Sequence, residues 1–133
     1  MNFSSALAIF IGGGIGSVAR WVVGNGVSKL SALSGSVVAG AMGVLAANVL
    51  ATLTLAILIF TQAEKLSSDG NSFWMTLLAI GFCGGFSTFS TFSLDTFKLI
   101  QEGNLIWGIL NIVVSVLTCL AVALTVYLVW GKS

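Results

Sequence analysis

The chain has 133 residues, 57% of them hydrophobic and 7% charged, with a mean hydropathy of +1.09. Soluble domains carry about 25% charged residues, and a small fold exposes too much surface to hide so much apolar material, so a water-soluble domain is excluded and lipid is the expected solvent. The net charge of +1 gives no support for nucleic-acid binding, and the chain has no His, no metal-ligand spacing around Cys83 or Cys119, no nucleophile–base pair and no phosphate loop, so an enzyme is not expected.

A helix crossing the hydrocarbon core needs about 20 mostly apolar residues. Four stretches qualify: 6–23, 36–60, 73–99 and 105–130. Their apolar character is continuous rather than alternating, which selects helices over a barrel. The expected fold is an all-α integral membrane protein: one domain over 1–133, built from four transmembrane helices.

The first stretch lacks a basic leader and has Arg20 at its C-terminal end, with Trp21, Val22 and Val23 continuing beyond it. It reads as a retained helix rather than a cleaved signal peptide. Gly12 and Gly16 form a small-xxx-small face suited to close helix packing. Residues 24–34 read as a polar link containing Lys29. The second stretch carries Asn48 near its middle, and 61–72 is the longest link, with Glu64, Lys65 and Asp69.

The third stretch contains the unusual run Gly81-Phe82-Cys83-Gly84-Gly85-Phe86-Ser87-Thr88-Phe89-Ser90-Thr91-Phe92-Ser93. Glycine costs about 1 kcal/mol per helix position relative to Ala, and Ser and Thr redirect backbone hydrogen bonds. Together they predict a helix interrupted at membrane depth, which is tolerated where the freed backbone faces protein or a water-filled path. In the last stretch Ser115 and Cys119 are four apart and share a face, with Thr118 beside them. The alternative for these hydroxyls is self-satisfaction on their own helix.

Acidic residues occur only at Glu64, Asp69, Asp95 and Glu102. A proton-coupled cation exporter needs a membrane-embedded carboxylate. Asp95 is the one candidate, and its plainer reading is a partner for Arg20 or an interfacial charge. The core instead offers uncharged donors: the Asn48 amide and the hydroxyls of Ser87, Thr88, Ser90, Thr91, Ser93 and Ser115. Phe89 and Phe92, three apart on one helical face, add positive ring edges if they are not simply packing residues. Such a set suits a small, strongly hydrated anion that must bind weakly and at several sites.

These residues resemble the Fluc (CrcB) family of fluoride channels along nearly the whole chain. The resemblance lies in Gly12-Gly13-Gly14-Ile15-Gly16-Ser17-Val18-Ala19-Arg20-Trp21, in Gly43-Val44-Leu45-Ala46-Ala47-Asn48, in the run 81–93, and in Gln101-Glu102-Gly103-Asn104 with Trp107. It implies an antiparallel, dual-topology homodimer in the cell inner membrane, with the third helix broken at mid-membrane and two pores for fluoride. It implies that Phe89 and Phe92 line the pores with Asn48, that Ser90 and Thr91 lie near the ion path, and that Ser115 and Cys119 occupy last-helix positions that are often polar. Arg20 matches an arginine near the pore entrance, and the carbonyls of Gly84 and Ser87 match positions that hold a structural sodium ion at the twofold. Two departures remove hydroxyls: Val44 stands where the family pattern has Thr, and Cys119 where Ser is common. Thr52 replaces a small residue.

Charge counting adds to the expectation of two orientations. Lys65 and Lys132 fall on one side of the membrane, and Arg20, Lys29 and Lys98 on the other, an excess too small to specify one topology. The readings set against a passive fluoride channel are a four-span exporter of small molecules and a non-conducting assembly subunit.

Overall fold

The computed structural model describes residues 3–30, 35–62 and 72–131. Four helical spans are long and apolar enough to cross a membrane: Phe3–Leu30, Val37–Thr61, Phe73–Gln101 and Leu105–Trp130. The protein is therefore a multi-pass membrane protein. The charged link residues Glu64, Lys65 and Asp69, and Lys132, lie outside the described residues.

Helix α1 spans Phe3–Leu30 and α2 spans Val37–Ile57, passing into a π-helical turn over Leu58–Gln62. The third span is composite. It contains α3 (Ser72–Met75), a π-helical stretch Thr76–Phe82, α4 (Cys83–Phe86) and α5 (Phe89–Gln101). The last helix, α6, covers Leu105–Trp130. Ser36 caps α2 by accepting the Ala39 amide at 3.2 Å. Gly103, at φ +81°, ends α5 in a Schellman turn: its own amide reaches the Ile100 carbonyl and the Asn104 amide reaches that of Leu99.

The polar link expected at 24–34 is helical as far as Leu30. The cause is a tertiary contact: Gly24 lies so close to Gly43 on α2 that a Cβ on Gly43 would stand 2.8 Å from the Gly24 carbonyl oxygen. That packing extends α1 past two glycines that local propensity would place in a turn.

In lipid, helices associate through close packing rather than through a hydrophobic drive, and small residues permit it. The interior follows that rule. Ala8, Ala39, Ala47 and Ala51 are buried, as are Gly12, Gly16, Gly43 and Gly81. The Gly12–Gly16 face of α1 does pack closely: a Cβ at Gly12 would strike the Leu77 carbonyl, and one at Gly16 the Phe82 carbonyl. Gly85 returns the contact against the Gly13 backbone. Large apolar side chains instead point outward, including Phe10, Trp21, Ile106 and Leu117.

The interruption in the third span falls at Ser87 and Thr88, within the run 81–93. Ser87 (φ −78°, ψ 157°) and Thr88 (φ −153°, ψ 120°) are extended, whereas Gly84 and Gly85 remain helical. Gly85 serves close approach to α1. The hydroxyl residues that follow make the break, because Thr88 starts α5 as its N-cap and must leave helical geometry to do so.

Candidate functional site

Opening a helix frees backbone groups that need partners in a membrane, and Asn48 supplies them here. From α2 its Oδ1 accepts the Thr88 amide at 2.8 Å, and its Nδ2 donates to the Thr88 carbonyl at 3.4 Å. The Thr88 hydroxyl accepts the Thr91 amide at 3.3 Å and lies 3.2 Å from the Ser90 hydroxyl and 3.1 Å from that of Thr91. Two amides that a regular helix would return to Gly84 and Ser87 are thereby diverted. The carbonyls of Gly84 and Ser87 lose their usual helical partners, and Gly84 is exposed, with open space where a Cβ would stand.

A groove of about 370 Å³ opens beside the break, lined by Asn48, Thr52, Ser87, Thr88, Phe89, Phe92, Ser115, Val116, Cys119 and Leu120. Five residues expected from sequence meet there: Asn48, Phe89, Phe92, Ser115 and Cys119. The rings of Phe89 and Phe92 are 5.7 Å apart, tilted by 43°. Phe92 is half-buried, whereas Phe89 is 79% exposed at the surface of the single chain.

The donors in this groove are unequally committed. Ser87 donates to the Cys83 carbonyl at 2.9 Å and Thr52 to the Asn48 carbonyl at 2.8 Å, so both protons are firmly held. Ser115 reaches Asn111 Oδ1 only at 3.5 Å, and the Asn48 Nδ2 contact is 3.4 Å. Cys119 is a free thiol, half-buried. Asn48, Ser115 and Cys119 therefore hold the protons that are easiest to redirect toward a guest.

A second cavity, about 490 Å³, is bordered by Arg20, Trp21, Val44, Thr91 and Asp95, with Ser17, Asn25 and Ser28. Arg20 and Asp95 share it, but no ion pair joins them among the described residues, so the pairing considered from sequence does not form. The Thr88–Thr91 hydroxyl contact connects the two cavities, since Thr88 lines the first and Thr91 the second. Ser90 borders neither and takes part through Thr88 alone. Thr118 stays off the groove.

Sequence reasoning named Thr88 only as one of several core hydroxyls, although it is the hub of the break. The available signal was a Thr directly before a helical run, the N-cap pattern. Thr52 was noted for packing, and its position one turn after Asn48 is what carries it to the groove.

Known proteins resemble this chain along most of its length. A family model described as "CrcB-like protein, Camphor Resistance (CrcB)" matches residues 7–127. The chain belongs to the CrcB-like family. A relative from Serratia proteamaculans named "Fluoride-specific ion channel FluC" is 39% identical over 132 residues, covering 94% of this chain and 96% of the relative. "Fluoride-specific ion channel FluC 1" of Yersinia pseudotuberculosis is 39% identical over 127 residues, covering 95% and 93%. The Escherichia fergusonii "Fluoride-specific ion channel FluC" is 36% identical over 127 residues, covering 96% and 94%. Within this CrcB-like chain, Val44 is an apolar wall in the second cavity and Cys119 a thiol in the first. Among the described residues no cluster of three or more His, Cys, Asp and Glu could hold a metal ion.

Proposed function

We propose that this protein is a passive, fluoride-selective channel of the cell inner membrane that lets cytoplasmic fluoride escape. The observation that carries the reading is the groove whose lining joins the loosely held protons of Asn48, Ser115 and Cys119 with the Phe89–Phe92 ring pair. Fluoride is small and strongly hydrated. It must exchange water for donors that are numerous and individually weak, or it will not leave again. The amide of Asn48, the hydroxyl of Ser115, the thiol of Cys119 and the aromatic edges meet that need without a fixed charge. Arg20 in the second cavity draws anions toward the Thr91–Thr88 hydroxyls, which lead to Asn48. Hydrofluoric acid crosses membranes neutral and dissociates inside, so a leak for the anion suffices and no coupling carboxylate is required.

The functional unit in this reading is an antiparallel homodimer with two equivalent pores, inserted in both orientations because Lys and Arg are nearly balanced between the two faces. The Ser87–Thr88 break then lies at mid-membrane, and the exposed Phe89 and Gly84 meet the inverted copy. The carbonyls of Gly84 and Ser87, short of helical amides, suit a structural sodium ion at the twofold, two from each subunit. When bound, the ion neutralises the carbonyl dipoles gathered there.

A growth assay tests the function. In a bacterial strain made fluoride-sensitive by loss of its own efflux, the wild-type protein restores growth in fluoride. Phe92→Ile and Ser115→Ala restore it only partly at equal membrane abundance. A wild-type protein that is present in the membrane and gives no protection would sink the proposal.

A further inference from the structure

Several helical hydroxyls of this protein share one habit that Ser115 does not follow. Thr52, Thr54, Ser93, Thr96 and Thr125 each donate to the backbone carbonyl four residues earlier, at 2.7–2.9 Å. Such back-bonding is the ordinary resting place of a Ser or Thr on a helix. Ser115, buried on α6 and lining the groove, bonds instead to the side-chain oxygen of Asn111, at 3.5 Å.

Counting protons explains why. Thr96, on α5, has a single hydroxyl proton and donates it to the Phe92 carbonyl at 2.7 Å. Its contact with Asn111, at 2.8 Å, must therefore use the Asn111 Nδ2 as donor. That fixes the carboxamide: Nδ2 toward Thr96, Oδ1 toward Ser115. Ser115 can then only donate to Asn111, and it does so through a long, weak bond. The contact is possible because α6 lies close to α5 at Gly108, where a Cβ would stand 2.6 Å from Ile100 Cγ1.

We infer that Thr96 and Asn111 are positioning residues that hold the Ser115 hydroxyl off its own helix backbone and keep it ready for the anion in the groove. Neither touches the permeating ion. The Thr96–Asn111 bond orients the amide, and the amide offers Ser115 a partner weak enough to be surrendered. Without it, Ser115 falls back onto the Asn111 carbonyl, as Thr125 does on Ala121, and its proton must be pulled from a short bond before it serves the ion. Thr96 also donates to the Phe92 carbonyl, so one side chain ties the segment that carries a groove ring to the amide that holds Ser115.

The inference rests on the channel reading, and its test separates the two. Fluoride efflux from liposomes is measured against fluoride concentration for wild type, Thr96→Val, Thr96→Ser and Asn111→Leu, each alone and with Ser115→Ala. Thr96→Val and Asn111→Leu are expected to raise the half-saturating fluoride concentration about fivefold, the equivalent of one ordinary hydrogen bond. Thr96→Ser restores the wild-type value. In the Ser115→Ala background Thr96→Val has no further effect. An equal effect with and without Ser115 reduces Thr96 to a packing residue and overturns the inference. A second measurement is independent of which ion crosses: in a refined structure of Thr96→Val, the Ser115 hydroxyl lies within hydrogen-bond reach of the Asn111 backbone carbonyl. Retention of the Oδ1 contact in that variant also overturns it. Absence of fluoride flux in the wild type, by contrast, refutes the channel reading and leaves the structural arm to decide whether Thr96 and Asn111 position Ser115.

Discussion

Replacing Asn48 by Leu tests the link between the helix break and the groove. Leucine keeps about the same volume but removes both contacts to Thr88, at 2.8 and 3.4 Å. Thr88 is buried, at 8% exposure, so its amide cannot turn to solvent for a substitute. A buried donor left without a partner costs about 1–3 kcal/mol. For a chain of this size that corresponds to a fall in melting temperature of about 3–10 °C. Ser87→Ala is the matched control. Ser87 lines the same groove, but its hydroxyl serves only the Cys83 carbonyl of its own helix, so its loss should lower the melting temperature by about 2 °C or less. Thermal unfolding in detergent, followed by intrinsic fluorescence, reads both. Equal melting temperatures for Asn48→Leu and Ser87→Ala would show that the carboxamide does not brace the break.

Three further outcomes follow from the geometry. Gly85→Ala drives a Cβ into the Gly13 backbone, with Gly13 Cα at 2.9 Å, and should destabilise by about 1–3 kcal/mol in the same melting assay. Gly14→Ala, which meets nothing within 4 Å, should leave α1 intact. Val44→Thr adds a hydroxyl to the cavity that holds Arg20 and Thr91, and Cys119→Ser a stronger donor to the groove. Each should speed fluoride efflux from liposomes, and unchanged rates in both would remove these positions from the ion path. Gly84→Cys, in a chain with Cys83→Ala and Cys119→Ser, should give a disulfide-linked dimer on mild oxidation, seen on a denaturing gel. Monomer alone would count against a twofold passing near Gly84.

The four spans were legible because lipid demands long apolar runs, and nothing in the chain competes with that signal. The Gly12–Gly16 face was legible too, since small residues at helical spacing have few other uses in a membrane. The end of α1 was not. Gly24 and Gly26 fall in a stretch read as a polar link, yet α1 continues through both, with Gly24 packed against Gly43. An interruption was expected somewhere in the run 81–93, but its exact place was not legible, because Thr88 capping and the contact with Asn48 set it at Ser87–Thr88. Asn48, Phe89, Phe92 and Ser115 were read from their donors and ring edges, Cys119 only from the family resemblance, and all five fall around one groove. The commitment of each proton was beyond the sequence, because it depends on partners 15 to 40 residues away, such as Thr96 for Asn111 and Thr88 for Asn48.

Fluoride efflux from liposomes holding the purified wild-type protein tests the central claim most directly. Vesicles loaded with potassium fluoride are diluted into fluoride-free buffer, and a potassium ionophore is added to let charge balance. A fluoride electrode should then record rapid release that requires both the protein and the ionophore, with no comparable release from vesicles loaded with chloride. Release no faster than from protein-free vesicles, or equal release of chloride, would contradict the account.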